Sequence, residues 1–188
     1  MGKFTKVSEN TFKEIQVEAG LILTTFDPTG TTEVKDEDIV CATTGGIEIA
    51  CKPQYTDYGE DIDNIPNGML EFMEIDGWDC SLGFTALNAS ASVIKMALGA
   101  ADTEGGKITP RFDIKKGDAK PVWWVGERAD GGFVACCLKN ALSTEGLTLK
   151  TTKKGKGQLS CTLKGHISIT AQKEVPMEFY VQEGAVAE

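Results

Sequence analysis

The sequence is short of histidine, the residue that most often acts as a general acid or base and as a metal ligand. His166 is the only histidine among 188 residues, and no two of the six cysteines have the C-x-x-C spacing. The usual ligand spacing of a zinc site is therefore absent. No stretch approaches the roughly 18 apolar residues that a membrane-spanning helix needs. The N-terminal segment lacks the apolar centre of a signal peptide. These absences predict a protein that is made and kept in the cytosol, away from membranes.

The cysteines are expected to be free thiols. Reduced cysteine is the default in the cytosol, and most of the six lie among apolar residues in strand-like segments. Buried free cysteine behaves as a small hydrophobic residue. We therefore expect core positions for Cys41, Cys51, Cys80, Cys136, Cys137 and Cys161.

Positive charge is absent from residues 53–94, although the formal net charge of the whole chain is only −9. The eight carboxylates of this segment are Asp57, Glu60, Asp61, Asp63, Glu71, Glu74, Asp76 and Asp79. Residues 146–173 show the opposite pattern, with no carboxylate and six lysines, namely Lys150, Lys153, Lys154, Lys156, Lys164 and Lys173. Charge sorted in this way bears on partners and assembly more than on fold. The negative excess opposes tight binding of nucleic acid.

Apolar and polar residues alternate in most of the chain, which is the pattern of half-buried strands. It predicts strands at residues 15–23, 46–51, 69–75, 78–85, 108–114, 122–127, 133–138, 147–152 and 159–169. Asp76-Gly77 and residues 129–132 predict hairpin turns, because glycine adopts the positive φ that such turns require. One helix is predicted at residues 89–98, with Asn88 or Ser90 capping its start and Gly99 its end.

These elements predict a mainly β protein, with residues 1–188 forming one domain. A β-sandwich or barrel core with one flanking α-helix and long loops is the expected fold class. The two long loops are residues 24–40 and 52–68, which are polar and rich in glycine, proline and aspartate. Loops of this length are usually functional or disordered.

Catalytic and metal-binding interpretations find weak support. The acids at residues 57–63 lack the spacing and the glycine of an EF-hand loop. A glycosidase needs two carboxylates at a defined separation, and a chain with this many acids does not indicate which two they would be. The glycines of residues 154–157 do not follow a strand into a helix, as a phosphate-binding loop requires. Trp123 and Trp124 point to opposite faces of a strand, so one is expected in the core and the other in the core or at a contact surface. The sequence therefore predicts no catalytic, cofactor or metal site and favours a structural building block.

The chain resembles the major tail proteins, or tail tube proteins, of long-tailed bacteriophages and prophages. The stretches that carry the resemblance are FKEIQVEAGLIL, TTGGIEI, YTDYGEDIDNIPN, LGAAD with ITPRFDI, WWVGERADGG, KNALSTEGL with TTKKGKG, GHISI and VPMEFYV. They span most of the chain, and none is a catalytic motif.

The resemblance implies a β-sandwich or barrel flanked by a helix, in which six subunits join their sheets into a ring. Rings stack into a hollow tube in the virion tail, through which the genome passes without specific binding. Besides further copies of itself, the protein would meet other tail proteins such as the tape measure and the tail terminator. It would be made in the cytoplasm of the host bacterium. Residues 52–68 or 24–40 would form the contact between rings.

The sorted charges agree with this expectation. An acidic lumen repels DNA phosphate, and opposed acidic and basic segments suit a head-to-tail contact that closes into a ring or extends as a filament. The predicted subunit-contact residues are Asp57, Tyr58, Glu60, Asp61, Asp63, Lys150, Lys153, Lys154 and Lys156.

Three alternatives remain open at this point. The inner-tube protein of a contractile injection system shares the same core, and only a neighbouring sheath gene would separate it. A monomeric β-sandwich binding module would stay a single 20.2 kDa species. An enzyme would have to depend on Cys136, Cys137 or His166.

Overall fold

The computed structural model of the protein describes residues 7–8, 10–29 and 33–184, and these form a mainly antiparallel β structure. The strands are β1 (Gln16–Leu23), β2 (Thr43–Asp57), β3 (Met73–Ala86), β4 (Ala101–Glu104), β5 (Lys107–Pro110), β6 (Lys120–Arg128), β7 (Phe133–Ser143), β8 (Thr148–Lys150), β9 (Gln158–Gly165) and β10 (Met177–Gln182). The helices are α1 (Thr11–Glu14), α2 (Ala91–Leu98) and two short 3-10 turns at Asp36–Asp38 and Leu70–Phe72.

Eight strands form one sheet, in the order β1-β6-β7-β9-β3-β2, with β10 added to β7 and β8 added to β9. The long strand β7 joins two layers. Its first half pairs with β6 on one side and β10 on the other, whereas Ala141–Ser143 pair with β9. The layers are therefore β1-β6-β7-β10 and β2-β3-β9-β8. The predicted fold class, a mainly β sandwich or barrel with one flanking helix, is confirmed.

The core lies between the two layers. Ile22, Trp124 and Leu138 come from the first layer, and Leu82 and Leu163 from the second, and all belong to one buried cluster. Full burial of a leucine side chain stabilises a fold by roughly 1.5–3 kcal/mol. Alternate residues of β3 and β9 are buried, which is the period of two that the sequence displays.

The flanking helix α2 begins and ends where its capping residues predict. The side chain of Ser90 accepts a hydrogen bond from the N–H of Val93 at 3.3 Å. Gly99 follows with φ of 74°, and a Cβ there would lie 2.7 Å from the carbonyl oxygen of Ser143. Asn88, the other predicted cap, instead accepts a hydrogen bond from the N–H of Ala42 at 2.9 Å. Ser90 is therefore the cap, and the helix is two residues shorter than predicted.

The predicted turn at Asp76-Gly77 is wrong, because β3 runs straight through it. Gly77 pairs with Gln54 and Ile75 with Tyr55, so Asp76 is an extra residue that forms a β-bulge. The predicted strands at 69–75 and 78–85 are thus one strand that starts at Met73. The predicted loop at 52–68 also begins too early, since its first six residues belong to β2.

The other predicted turn, at residues 129–132, is confirmed. The N–H of Arg128 donates to the carbonyl of Gly132 at 2.9 Å, and the N–H of Gly131 donates to the carbonyl of Arg128 at 3.0 Å. Gly131 has φ of 79°, a backbone conformation that favours glycine.

Several strand predictions need shorter bounds. The predicted strand at 159–169 ends at Gly165, that at 108–114 ends at Pro110, and that at 147–152 covers only Thr148–Lys150. The strands end where their hydrogen-bonding partners end. Beyond Gly165, for example, the chain no longer pairs with either β3 or β7. Strands β4 and β10 were not predicted. In the predicted loop at 24–40, residues 30–32 lie outside the described residues, and Ile39 forms an isolated bridge with Leu23.

Candidate assembly surface

The two longest strands extend beyond the rest of their layer. Strand β3 pairs with β9 only from Ser81 to Ala86, whereas it pairs with β2 along almost its whole length. From Cys80 back to Met73, β3 and its partner therefore form a two-stranded ribbon, which residues 58–72 close at the far end. We call residues 53–79 the acidic arm.

The acidic arm holds all eight carboxylates of the segment without positive charge, and no lysine or arginine. At its base, Asp79 forms an ion pair with Lys164 at 3.3 Å. Along residues 7–8, 10–29 and 33–184, none of the other seven carboxylates has an ion-pair partner within 4.0 Å. The arm therefore presents a concentrated negative charge that the described part of its own chain leaves uncompensated.

Asp57 organises the loop at the end of the arm. Its Oδ1 accepts a hydrogen bond from the N–H of Gly59 at 2.8 Å, and its Oδ2 accepts one from the N–H of Gly68 at 2.8 Å. An aspartate that binds a backbone N–H two residues on is a common turn-forming contact. Asp57 was predicted from the sequence only as a contact residue, and this second role was not predicted.

The other predicted acidic contact residues lie exposed around the same loop. Tyr58 leaves 60 % of its surface exposed, and Glu60, Asp61 and Asp63 are all exposed. The structure therefore brings Asp57, Tyr58, Glu60, Asp61 and Asp63 together at one end of the arm.

Exposed apolar side chains accompany the acids, and their exposure was not predicted from the sequence. Leu70 is 82 % exposed, and the directly opposed pair Tyr55 and Ile75 are 56 % and 46 % exposed. Ile62 and Met69 are also exposed. Grouped exposed apolar residues commonly mark a contact surface. In the sequence these apolar residues are interspersed with acids. That pattern does not show which apolar side chains stay exposed in the folded protein.

The predicted basic residues form a second group, which we call the lysine loop (residues 150–156). Lys150 ends β8, and Lys153, Lys154 and Lys156 follow in the connection to β9. All four are exposed, and none has an ion-pair partner within 4.0 Å among the described residues. A shallow cavity beside the loop is lined by residues that include Thr44 and Leu87.

The acidic arm and the lysine loop lie at opposite ends of the β2–β3 pair. Thr43 pairs with Ala86 near the lysine loop, whereas Asp57 pairs with Met73 at the far end of the arm. Fourteen residue steps at about 3.3 Å correspond to a path of roughly 45 Å. The structure therefore does not bring the predicted acids and lysines together within one chain.

Three long edges have no strand partner in the described part of the chain. Strands β2, β1 and β10 each pair with another strand along one side only, and the end of β1 is also bonded on its second side by residues 38–40, where the N–H of Val40 donates to the carbonyl of Ile22 at 2.9 Å. Glu18 and Gly20 interrupt β1 with positive φ and a register shift, and such a bulge discourages pairing with another chain. Strand β2 exposes a much longer edge, and an exposed edge offers backbone groups to a further strand.

The cysteines occupy core positions, as predicted. Five are buried and Cys51 is half-buried, and all six are free. Burial raises the pKa of Cys41 and Cys137 to about 11 and that of Cys80, Cys136 and Cys161 to about 12. Thiols with such pKa values are poor nucleophiles at neutral pH.

The histidine lies outside the predicted strand. His166 follows the end of β9 and is exposed, and its carbonyl oxygen accepts a hydrogen bond from Asn140 Nδ2 at 2.9 Å. The prediction that this residue lies within a strand is wrong, because the chain turns away from β3 after Gly165.

The two tryptophans lie on opposite faces of β6, as predicted. Trp124 is in the core, and its Nε1 donates to the carbonyl of Ala19 at 2.9 Å. Trp123 is partly buried and packs between Phe26 and Tyr180, with ring centroids 5.7 Å and 5.6 Å away. Side chains of its own chain therefore cover part of Trp123.

Within the ranges that the structure describes, no three His, Cys, Asp or Glu side chains come close enough to hold a metal ion. In the same ranges, no helix has the length and apolar character needed to cross a membrane. No family model and no curated protein sequence matches the chain.

Proposed function

We propose that this protein is a structural virion protein that forms the tail tube of a long-tailed bacteriophage or prophage. Six copies would form a ring, and stacked rings would form the conduit for DNA delivery. The observation that carries the proposal is the placement of uncompensated acids at one end of the β2–β3 pair and uncompensated lysines near the other. The resemblance to tail tube proteins supports the same conclusion.

Opposite charges at opposite ends favour head-to-tail association. If the acidic arm of one copy contacts the lysine loop of the next, each copy still has one free acidic and one free basic end. Such heterologous contacts propagate into rings or filaments, whereas a two-fold contact would stop at a dimer. A repeating tube needs the first kind of contact.

The free strand edges support lateral association within a ring. Strand β2 is 15 residues long and pairs only with β3 among the described strands. Long unpaired edges are a liability in a monomer, and contact with a neighbouring copy would cover them. The bulged edge of β1 suits a position that stays solvent-exposed.

The net charge suits a conduit rather than a nucleic-acid binder. Each copy adds a formal charge of −9 to the assembly. Tight binding of DNA depends on neutralising its phosphates with lysine and arginine. A tube with excess negative charge would instead let the genome slide past without adhering.

The decisive experiment is negative-stain electron microscopy of the purified full chain, wild type and charge variants. Wild-type protein is expected to form rings or tubes, and Lys153→Glu with Lys154→Glu is expected to impair them. The matched control is Lys153→Arg with Lys154→Arg, which keeps the charge and should assemble. Isolated wild-type particles at high concentration, or normal tubes from the glutamate variant, would contradict the proposal.

A charge-swap variant tests whether the two ends meet each other. Adding Glu60→Lys and Asp61→Lys to the glutamate variant exchanges the signs at both ends. In a head-to-tail contact between arm and lysine loop, the exchange restores attraction, so assembly should recover. Failure to recover, in a variant that unfolds at the wild-type temperature, would show that these two groups do not face each other.

A further inference from the structure

Two cysteines face each other at the base of the acidic arm. Cys51 on β2 and Cys80 on β3 are directly opposed in the antiparallel pair, and their Sγ atoms lie 3.5 Å apart. Both are free thiols in the structure. Neither the sorted charges nor the exposed edges of the sheet account for a thiol pair at this position.

The backbone already has the geometry that a disulfide needs. Directly opposed residues of an antiparallel pair have Cα atoms about 4.5 or 5.5 Å apart, depending on whether they exchange hydrogen bonds. Disulfides join residues whose Cα atoms are about 4.4–6.8 Å apart. The two sulfurs need to approach by roughly 1.5 Å to reach the length of an S–S bond, about 2.05 Å, and rotation about the Cα–Cβ bonds provides such a movement. A bridge therefore fits the strand register as it stands.

The two thiols differ in their access to solvent. Cys51 is half-buried, whereas Cys80 is 1 % exposed. Burial, followed by the hydrogen bond with Cys51, raises the pKa of Cys80 to about 12. A buried thiol of this kind reacts poorly with an oxidant in solution. Oxidation therefore begins at Cys51, and a small oxidant suits a thiol that is half covered.

A third thiol lies near the pair but in the other layer. Cys136 of β7 is completely buried, and its charge interaction with Cys80 contributes to the raised pKa of Cys80. In the described part of the chain, β7 pairs with β6, β9 and β10 but not with β3. No strand register therefore sets Cys136 opposite Cys80, as it does Cys51.

We propose that Cys51 and Cys80 form a disulfide when a small hydroperoxide reaches the protein. The Cys51 thiolate attacks one peroxide oxygen, so that an S–O bond forms, the O–O bond breaks and the leaving oxygen takes up a proton. Cys80 then attacks the sulfur of the Cys51 sulfenic acid. The S–S bond forms, the S–O bond breaks, and the hydroxide leaves as water with the proton of Cys80. Two thiols are oxidised, and hydrogen peroxide is reduced to two molecules of water.

The bridge would fasten the acidic arm at its base. Strand β3 begins to pair with β9 at Ser81, so the Cys51–Cys80 pair lies where the two-stranded ribbon leaves the sheet. A ribbon of two strands is marginally stable by itself. A disulfide at this point closes a loop of roughly 30 residues and restricts the unfolded states of the arm. The oxidised protein therefore holds the arm more firmly.

The redox environment decides when the bridge forms. Thiols in the cytosol are kept reduced, whereas disulfides form and persist outside the cell and on virion surfaces. A tube subunit would fold and assemble in the reduced state and acquire the bridge after release. This timing rests on the proposed virion role, whereas the thiol chemistry does not.

Peptide mapping of the full chain tests the bridge. The folded, reduced protein is exposed to hydrogen peroxide, and the remaining thiols are blocked. The denatured chain is then digested with chymotrypsin and a glutamate-specific protease, which separates Cys51 from Cys41. A linked peptide that joins Cys51 to Cys80 is expected in wild type and in the control Cys41→Ala, and Cys51→Ser should lack it.

Three results would overturn the proposal. They are a linked peptide that contains Cys136 in place of Cys51 or Cys80, an oxidised Cys51 beside a Cys80 that stays a free thiol, and a Cys51 that peroxide does not oxidise. None of these results depends on assembly. Isolated particles in electron microscopy would therefore overturn the tube and leave the bridge intact.

Thermal unfolding measures the effect of the bridge on stability. Peroxide treatment is expected to raise the melting temperature of the wild-type protein by at least about 4 °C, the low end of the range for a disulfide in a chain of this size. A reductant should reverse the rise, and Cys51→Ser should not show it. An unchanged melting temperature in protein that carries the bridge would overturn the inference that it fastens the arm.

Discussion

At the scale of single residues, Asp118 is held in its surface loop by hydrogen bonds from Arg111 and from the N–H of Lys115. The backbone N–H of Lys115, followed by the guanidinium of Arg111, lowers the pKa of Asp118. A carboxylate whose pKa is lower in the folded state stabilises the fold above its unfolded pKa, about 3.9. That contribution disappears as the pH falls through the folded pKa.

Asp118→Asn should therefore destabilise the protein at neutral pH but not in acid. The expected loss in melting temperature at pH 7 is roughly 2–4 °C, because Arg111 loses its ionised partner. The difference from wild type should shrink as the pH falls below about 4. Thermal unfolding followed by circular dichroism between pH 7 and pH 3 measures this. Asp113→Asn, at a carboxylate 67 % exposed, is the control and should change little; a pH-independent difference for Asp118→Asn would contradict the assignment.

At the scale of elements, the acidic arm depends on the rest of the molecule. A two-stranded ribbon is marginally stable by itself, and here its register contains a bulge at Asp76. Asp76 also hydrogen-bonds to Thr56 across the ribbon. The loop that closes the ribbon is held by Asp57, whose two oxygens join Gly59 to Gly68.

Asp57→Asn should loosen this loop without unfolding the core. An asparagine offers one acceptor oxygen, so one of the two backbone hydrogen bonds is lost, at a cost of about 1 kcal/mol. Cleavage by chymotrypsin after Tyr58, Leu70 or Phe72 should then become about fivefold faster. Asp61→Asn removes an equal charge from the same loop and is the control. Equal cleavage rates in the two variants would show that Asp57 does not organise the loop.

The elements also show where sequence reasoning succeeds and where it fails. The caps of α2 and the turn at residues 129–132 were predicted correctly, because each depends on residues that are close together in the sequence. Asp76-Gly77 carries the same local signal as a hairpin turn, yet pairing with β2 keeps the strand continuous, and that pairing is not local. Strand β10 could have been predicted, because the apolar residues Met177, Phe179 and Val181 alternate with Glu178, Tyr180 and Gln182. The exposure of Phe112 could not have been predicted, because burial depends on which distant segments of the chain cover a side chain.

At the scale of the whole molecule, the separation of charge matters more than its sum. Acids at the end of the arm and lysines near the opposite end give the chain a polarity along β2. Exposed ion pairs contribute little individually, but several that form together at a repeating contact add at every interface. Assembly should therefore respond to ionic strength more strongly than folding does.

Raising sodium chloride from about 0.05 M to about 1 M should weaken assembly of the wild-type protein, because the screening length falls to about 3 Å. The variant Lys153→Glu with Lys154→Glu should respond in the opposite direction, since salt then screens repulsion between the arm and the reversed loop. Sedimentation velocity across the salt series, with the arginine variant as the control, measures both trends. Parallel curves for wild type and the glutamate variant would show that apolar and strand-edge contacts hold the assembly and that the sorted charges act only on DNA. Opposed slopes would instead assign the acid-rich and lysine-rich segments to the contact between copies, the feature that distinguishes a tube subunit from a soluble binding module.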